Sequence, residues 1–316
     1  MVVAMALKPL SLRVAVTGST GFIGMHLLRG LHAAGAEIVA IVAAGRHVER
    51  LDSLPFPVER IIIEDISHIG DAIRRARAQY VIHLSAFVST DRSVHALEET
   101  VRQNLLPTVS LLAAAADVNV SRVILLGSCE EYSQKTTPFD TALAPDPSSP
   151  YGASKAAATA YARMFTNSFR LPTVVLRPSV VYGPGQSERM LISQVMKAIL
   201  ENRTIGVTEG KQTRDFIYVE DVVLAIIQSL TVPGIEGGIW NIGSGEVVTV
   251  RDCLERIERI TGRTGLIEYG KRPYNESEIF QYELKVQEAY NAFNWKPSLT
   301  LDTGLSKTWE FFRDHV

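Results

Sequence analysis

Tyr151 and Lys155 stand four residues apart in the segment Tyr151-Gly-Ala-Ser-Lys155. On a helix that spacing puts both side chains on one face. An ammonium beside a phenol stabilises tyrosinate and lowers its pKa toward neutrality, which suits the pair to taking a proton from an alcohol. Ser128 follows the apolar run Val123–Leu126 and can hydrogen-bond the same oxygen. Upstream, Gly18-Ser-Thr-Gly21-Phe-Ile-Gly24 lies between an apolar run and a helical pattern. Glycines there let the backbone approach a pyrophosphate, and the helix N-terminus offers N–H groups and the positive end of its dipole. The spacing is G-x-x-G-x-x-G rather than G-x-G-x-x-G. Tyr-x-x-x-Lys alone occurs by chance on many helices, and a glycine turn is common in βα units. In this chain order, with Ser128 between them, the motifs describe a hydride-transfer site.

These residues need elements to hold them. Arg13–Thr17 reads as a strand ending at Gly18, followed by a helix to about Ala34 with Phe22, Ile23, Leu27, Leu28 and Leu31 on one side. Further buried-type strands are predicted at Glu37–Ala43, Val58–Ile63, Tyr80–Leu84, Arg122–Leu126 and Thr173–Leu176. Helices are predicted between them at about Ile69–Ala78, Val94–Ala116 and Tyr151–Phe169, the last led in by Ser149-Pro150. This alternation predicts an α/β fold, a Rossmann-type doubly wound parallel sheet with helices on both faces. After Arg177 the pattern loosens into a smaller C-terminal α/β region, with a helix at about Leu191–Glu201, a strand at Gln212–Val219 and helices at Asp221–Leu230, Val250–Thr261 and Leu301–Phe312. We expect residues 1–178 to form the dinucleotide-binding domain, with 213–245 returning to it, and 179–212 and 246–316 to form the substrate domain.

With 316 residues, 46% of them hydrophobic and 21% charged, the chain has ample material for a large core. A net charge of −2 gives no basic field for nucleic acid. Cys129 and Cys253 are far apart and suggest a reduced, cytoplasmic protein without a disulfide framework. The seven histidines show no metal-ligand spacing. Met1–Leu12 is mildly apolar without a cleavage-site pattern, so neither a signal peptide nor a membrane span is expected.

The end of the second strand should meet the adenosine ribose, where an acid favours NAD and an arginine favours the 2′-phosphate of NADP. Here it reads Ile41-Val-Ala-Ala-Gly-Arg46, with Arg50 close by and no carboxylate. The cofactor is therefore NADP or NAD, with NADP slightly favoured. Asp65 and Ile66 follow the third strand; Asp65 is a candidate for the adenine amino group or, equally, a helix-cap charge.

Taken together, these residues resemble the extended short-chain dehydrogenase/reductase family, in its nucleotide-sugar epimerase, dehydratase and reductase branch. Val16-Thr-Gly-Ser-Thr20-Gly-Phe22-Ile23-Gly24 is similar to the family's cofactor loop, and His83-Leu84-Ser85-Ala86 to the segment lying along the cofactor. Asn104-Leu-Leu-Pro-Thr108 resembles the structural Asn region, and Ser149–Lys155 the Tyr/Lys helix. Arg177–Gly185, Thr213–Val219 and Trp295-Lys-Pro297 resemble segments of the C-terminal half. The resemblance implies a nucleoside diphosphate–sugar substrate, with Arg214 on the diphosphate and Arg272 assisting; Arg214 could instead pair with Asp215 or Glu209. Val180 and Asn275 depart from an Asn and an Arg that relatives carry to contact the nucleotide sugar. It also implies a homodimer through the helices at Val94–Ala116 and Tyr151–Phe169.

Glu130 bears on the reaction. By the resemblance, it occupies the place of the acidic residue that takes a sugar proton in dehydratases, with Cys129 beside it as a further catalytic candidate or a small buried filler. Glu131 reads as a solvated loop charge. Transient oxidation at sugar C4 serves an epimerase or a dehydratase, with dehydration favoured by Glu130. A 4-keto reductase drawing on exchangeable NADPH is the alternative, since some reductases carry the same Ser-x-Glu-Glu-Tyr run. A non-catalytic NADP-binding sensor is the remote one.

Overall fold

The computed structural model describes residues 12–88, 93–132, 136–275 and 278–315. Its centre is a seven-stranded sheet in which every pairing is parallel. The strands are β1 (Arg13–Thr17), β2 (Glu37–Ala43), β3 (Glu59–Ile63), β4 (Tyr80–His83), β5 (Arg122–Leu126) and β6 (Thr173–Pro178). They lie in the order β3-β2-β1-β4-β5-β6, and β10 (Ile239–Ile242) adds a last strand beside β6. The first crossovers run outward from β1 in one direction and the chain then returns to its other side. The reversal falls between β1 and β4, at whose carboxyl ends a doubly wound sheet leaves a crevice.

Alternate strand residues point to opposite faces, which explains the two cores. Val14 and Val16 of β1 pack with Leu27, Leu28 and Leu31 of α1 (Phe22–Ala33). Ala15 packs on the other face with Ile69 and Ile73 of α2 (Ile69–Ala76). The predicted long helix at Val94–Ala116 is divided. A short α3 (Leu97–Thr100) runs into a π-helical turn over Val101–Leu105 and then α4 (Leu106–Asp117). The apolar pattern continues through the π turn, so periodicity did not reveal it. α5 (Pro150–Phe169) starts at Ser149, whose Oγ accepts the N–H of Gly152, with Pro150 in the first helical turn.

The C-terminal region has its own core. β7 (Val180–Tyr182), β9 (Thr213–Tyr218) and β11 (Val247–Thr249) form a three-stranded sheet, and β8 (Ile205–Gly206) pairs with β12 (Ile267–Glu268). With α6 (Leu191–Leu200), α8 (Val250–Thr261) and α10 (Leu301–His315), they enclose Ile192, Val195, Met196, Leu254, Leu305 and Phe312. α7 (Val219–Ser229) packs on α1, and α9 (Gln287–Phe293) lies beside Ile239–Ile242. Asp215 joins the two regions: its carboxylate accepts from Ser179 Oγ, from Ser244 N and Oγ, and from Gly245 N. Residues Met1–Ser11, covering nearly all of the segment read for a leader, lie outside the described residues. Among the described residues no helix is long and apolar enough to cross a membrane, and no group of His, Cys, Asp and Glu could hold a metal ion.

Candidate active site

The glycine loop joins β1 to α1. Gly18 has φ +69°, and a Cβ there would lie 2.7 Å from Ser85 N and 2.8 Å from Leu84 C, so only glycine lets the two segments touch. A Cβ on Gly24 would lie 2.2 Å from Gly18 O, which fixes the loop against the first turn of α1. Gly21 is the N-cap of α1 and makes no side-chain cap bond. Phe22 and Ile23, the first residues of that uncapped turn, therefore have N–H groups without a helical partner. A crevice of about 380 Å³ opens beside the glycine loop, with Phe22 and Ile23 outside its wall. Gly18, Thr20 and Gly21 line it, with Leu84, Ser85 and Ala86 on one side. Arg46, Asp65 and Ile66 line its far end. Glycines, free helix N–H groups and a crevice of this size at the switch point fit a dinucleotide.

At that far end, Arg46 is exposed and its carbonyl accepts from Thr20 Oγ1 at 2.8 Å. Arg50 Nη1 donates to Thr20 O at 2.9 Å, holding the glycine loop from outside. Asp65 lines the crevice and also caps a 3₁₀ turn, accepting Ser67 N at 2.9 Å. That bond holds its carboxyl below the usual range.

Tyr151 and Lys155 do not line this crevice but are tied to its Leu84–Phe87 wall through Asn104. Asn104 accepts from Phe87 N and donates to Ser154 Oγ at 3.0 Å, and Ser154 Oγ donates to Tyr151 O at 2.7 Å. Lys155, buried, donates to Leu126 O at 2.7 Å, and its Nζ is 5.9 Å from the Tyr151 ring centre. Burial pulls the Lys155 ammonium down to about 8, against the opposing charge of Glu131. The expected depression of the Tyr151 pKa is not found. Burial and the charges of Glu130, Cys129 and Glu131 raise it, with only a hydrogen bond to Ser128 working the other way. Burial thus keeps the resting phenol protonated, and Lys155 gives its hydrogen bond to the backbone of β5.

Ser128, at the end of β5, starts a 3₁₀ turn over Cys129–Glu131, and its Oγ accepts Glu130 N at 3.1 Å. Glu130 is half-buried and accepts from Ser149 Oγ at 2.7 Å, so it rests at the N-terminus of α5 beside Tyr151. Cys129 is buried among Tyr132, Phe139 and Tyr282, and burial pushes its thiol up to about 12. Glu131 corrects the reading of a solvated charge. It is fully buried, closing a capping box with Ser128 and pairing with Arg177 at 2.6 Å. A polar loop gave no local sign of this, since the partner is on β6.

Val180 and Arg214 line a second cavity of about 170 Å³ with Gln186, Met190, Leu191 and Phe216. Arg214 pairs with Glu278, not with Asp215 or Glu209, and donates to Thr213 O and Ile279 O. Its guanidinium lies 5.2 Å from the Tyr282 ring centre. Arg272 and Asn275 are exposed on the segment before Glu278; the backbone N–H of Arg272 donates to Val207 O, and Asn275 O accepts Glu278 N. The structure thus brings Ser128, Glu130, Tyr151 and Lys155 together, and Val180 with Arg214, but leaves Arg272 and Asn275 outside that cavity's wall.

A parallel doubly wound sheet with a glycine-loop crevice and a Ser/Tyr/Lys cluster defines a dinucleotide-dependent enzyme class. Residues 14–243 match the NAD dependent epimerase/dehydratase family, and the chain belongs to it. It is an enzyme family of nucleotide-sugar epimerases and dehydratases, the extended short-chain dehydrogenase/reductase branch that the motifs resemble. Among curated relatives, UDP-glucose 4-epimerase of Mycolicibacterium smegmatis is 28% identical, covering 96% of this chain and 99% of the relative. The human dTDP-D-glucose 4,6-dehydratase is 27% identical, covering 96% and 90%. A crystal structure of UDP-glucuronic acid 4-epimerase from Bacillus cereus, with UDP-glucuronic acid and NAD, superposes with a TM-score of 0.87 at 26% identity, covering 96% and 99%.

Proposed function

We propose that this chain transiently oxidises the C4 carbinol of a nucleoside diphosphate–sugar, as an epimerase or a dehydratase, with Glu130 favouring dehydration. The observation that carries this reading is the convergence of Ser128, Tyr151 and Glu130 on one site. Ser128 and Glu130 both sit close enough to act on the phenol, Ser128 favouring and Glu130 opposing its ionisation. Tyr151 and Ser128 together hold the C4 oxygen; Tyr151, once its own phenol proton has been given up, takes the C4 hydroxyl proton as the phenolate and returns it when the ketone is reduced. The nicotinamide, when bound, accepts and returns the hydride. Lys155 holds the ribose hydroxyls. For dehydration, the C4 ketone acidifies the C5 proton; the Glu130 carboxylate takes it and passes it to the C6 hydroxyl, which leaves as water, and the hydride then returns to C6 while C5 regains the proton lost from O4. Arg214 binds the diphosphate, with Val180 in the same cavity wall. Residues 1–178 with 213–245 serve the dinucleotide, and 179–212 with 246–316 the sugar nucleotide, except that Thr213–Tyr218, paired in the C-terminal sheet, turns Arg214 to the sugar-nucleotide side.

For the cofactor we favour NADP slightly over NAD, although the Bacillus cereus structure holds NAD. Support comes from β2, which ends without a carboxylate, and from Arg46, His47 and Arg50 on the crevice wall. A homodimer through α3, α4 and α5 is supported by exposed Leu97, Val101, Leu106, Tyr161 and Met164 on those helices and the π turn. A monomer by light scattering at micromolar concentration would refute that.

The deciding experiment identifies the dinucleotide released on denaturation. It then screens nucleotide sugars by mass spectrometry for isomerisation or loss of one water. The second reading is the 4-keto reductase, in which the protonated Tyr151 phenol donates to the ketone oxygen as hydride is delivered to C4. Stoichiometric consumption of added NADPH with a 4-keto sugar would select it.

A further inference from the structure

One buried anion under the site has no part in the chemistry above. Glu131 is 0% exposed. Its Oε1 accepts the backbone N–H of Ser128 at 3.0 Å, and its Oε2 accepts from Thr159 Oγ1 at 2.8 Å. The same Oε2 lies 2.6 Å from Nη2 of Arg177, a residue itself fully buried on β6. Thr159 is one turn beyond Lys155 on α5. A single carboxylate therefore joins the end of β5, the Tyr/Lys helix and β6. The space is made for it: a Cβ on Gly127 would come within 2.5 Å of Glu131 Oε1.

Of the two buried cations nearby, Arg177 pairs with this carboxylate, while Lys155 donates to Leu126 O and lies one turn before the carboxylate's partner Thr159 on α5, within reach of its charge. The other groups around it are Tyr132, whose ring lies 4.6 Å from the Arg177 guanidinium, and Tyr151 and Glu130 on the substrate side. From β4, His83 is buried, hydrogen-bonded to two threonines and held neutral. Glu130 is only half-buried and is turned to Ser149. A charge sealed from solvent is tolerated only with partners, so Glu131, Arg177 and Lys155 must be considered as one unit.

We propose that Glu131 is a positioning residue, which clamps the Ser128 loop to the catalytic helix and serves as the buried counter-ion that keeps Lys155 protonated. The inference rests on the reading that Ser128, Tyr151 and Lys155 are the reactive set. Its direction agrees with the electrostatics, since Glu131 is the group that resists the downward pull of burial on Lys155.

The test is a titration of Lys155 in the full chain by NMR, with lysine labelled at the ε carbon and Lys155 assigned from a Lys155→Arg variant. The wild type should titrate near 8. Glu131→Gln preserves the shape but removes the charge, and the Lys155 midpoint should fall by about one unit or more. The basic limb of the turnover profile should move down with it. An unmoved midpoint in a folded Glu131→Gln protein overturns the proposal, whatever happens to the rate. If that variant does not fold, Glu131→Asp carries the test, keeping the charge but withdrawing the oxygens by one methylene. Its Lys155 midpoint should stay near 8 while the amide of Ser128 loses protection from hydrogen exchange; a shifted midpoint or wild-type protection would overturn the proposal. Because the titration needs no substrate, a failed screen of nucleotide sugars would sink the functional reading and leave this one decided on its own terms.

Discussion

Replacing Gly18 with Ala tests how the crevice is built. The residue has φ +69°, a conformation that costs an L side chain roughly 1–2 kcal/mol. The added Cβ would also lie 2.7 Å from Ser85 N and 2.9 Å from Ser85 Cα, both backbone atoms that cannot swing aside. Overpacking of this kind costs about 1–3 kcal/mol. The sum is about 2–5 kcal/mol. Gly234→Ala is the matched control: its φ is +77°, and no heavy atom lies within 4 Å of the added Cβ. It should lose only the first part. Urea unfolding of both variants isolates the steric part as their difference, about 1–3 kcal/mol. Since Ser85 lines the crevice, calorimetry should also show dinucleotide affinity falling about tenfold or more in Gly18→Ala and unchanged in Gly234→Ala. Equal losses in the two variants would refute the argument that Gly18 is required by contact with Ser85.

His83 accepts from Thr17 Oγ1 through Nδ1 and donates from Nε2 to Thr108 Oγ1, because Thr108 itself donates to Asn104 O. Burial lowers its pKa from 6.5 to about 3. The unfolded chain therefore binds a proton that the folded one refuses. This contribution is fully present above pH 6.5 and is lost as pH falls toward 3, with a slope approaching about 1.4 kcal/mol per unit. Unfolding of His83→Asn between pH 7 and 4 should lack that slope; an identical pH dependence would contradict it. Arg46→Ala should weaken NADP binding about tenfold or more and leave NAD binding within a factor of about two, measured by calorimetry. Equal losses for both dinucleotides would place Arg46 away from any 2′-phosphate.

The sheet and the geometry of the loops were legible because they are local. The strand–glycine–helix order and the i, i+4 spacing of Tyr151 and Lys155 are carried by neighbouring residues. Ser149-Pro150 marked the start of α5 to within one residue. What sequence did not show depends on distant partners. Glu131 is buried because Arg177 reaches it from β6, and Arg214 finds Glu278 across 64 positions. The π turn hides inside a continuous apolar helix pattern and places Asn104 between Phe87 and Ser154. The Tyr151 pKa is raised rather than lowered because burial and the charge of Glu130, both set by the tertiary fold, act on it, while Lys155 is turned to Leu126 O.

The most direct test compares Tyr151→Phe with the wild type, once a nucleotide-sugar substrate is in hand, measuring turnover and dinucleotide affinity on the same preparations. Losing the phenol oxygen should cut turnover by about 10²–10⁴ while the affinity stays unchanged. Turnover at the wild-type rate would contradict the assignment of the proton transfer to Tyr151, and with it the proposed reaction at the sugar carbinol.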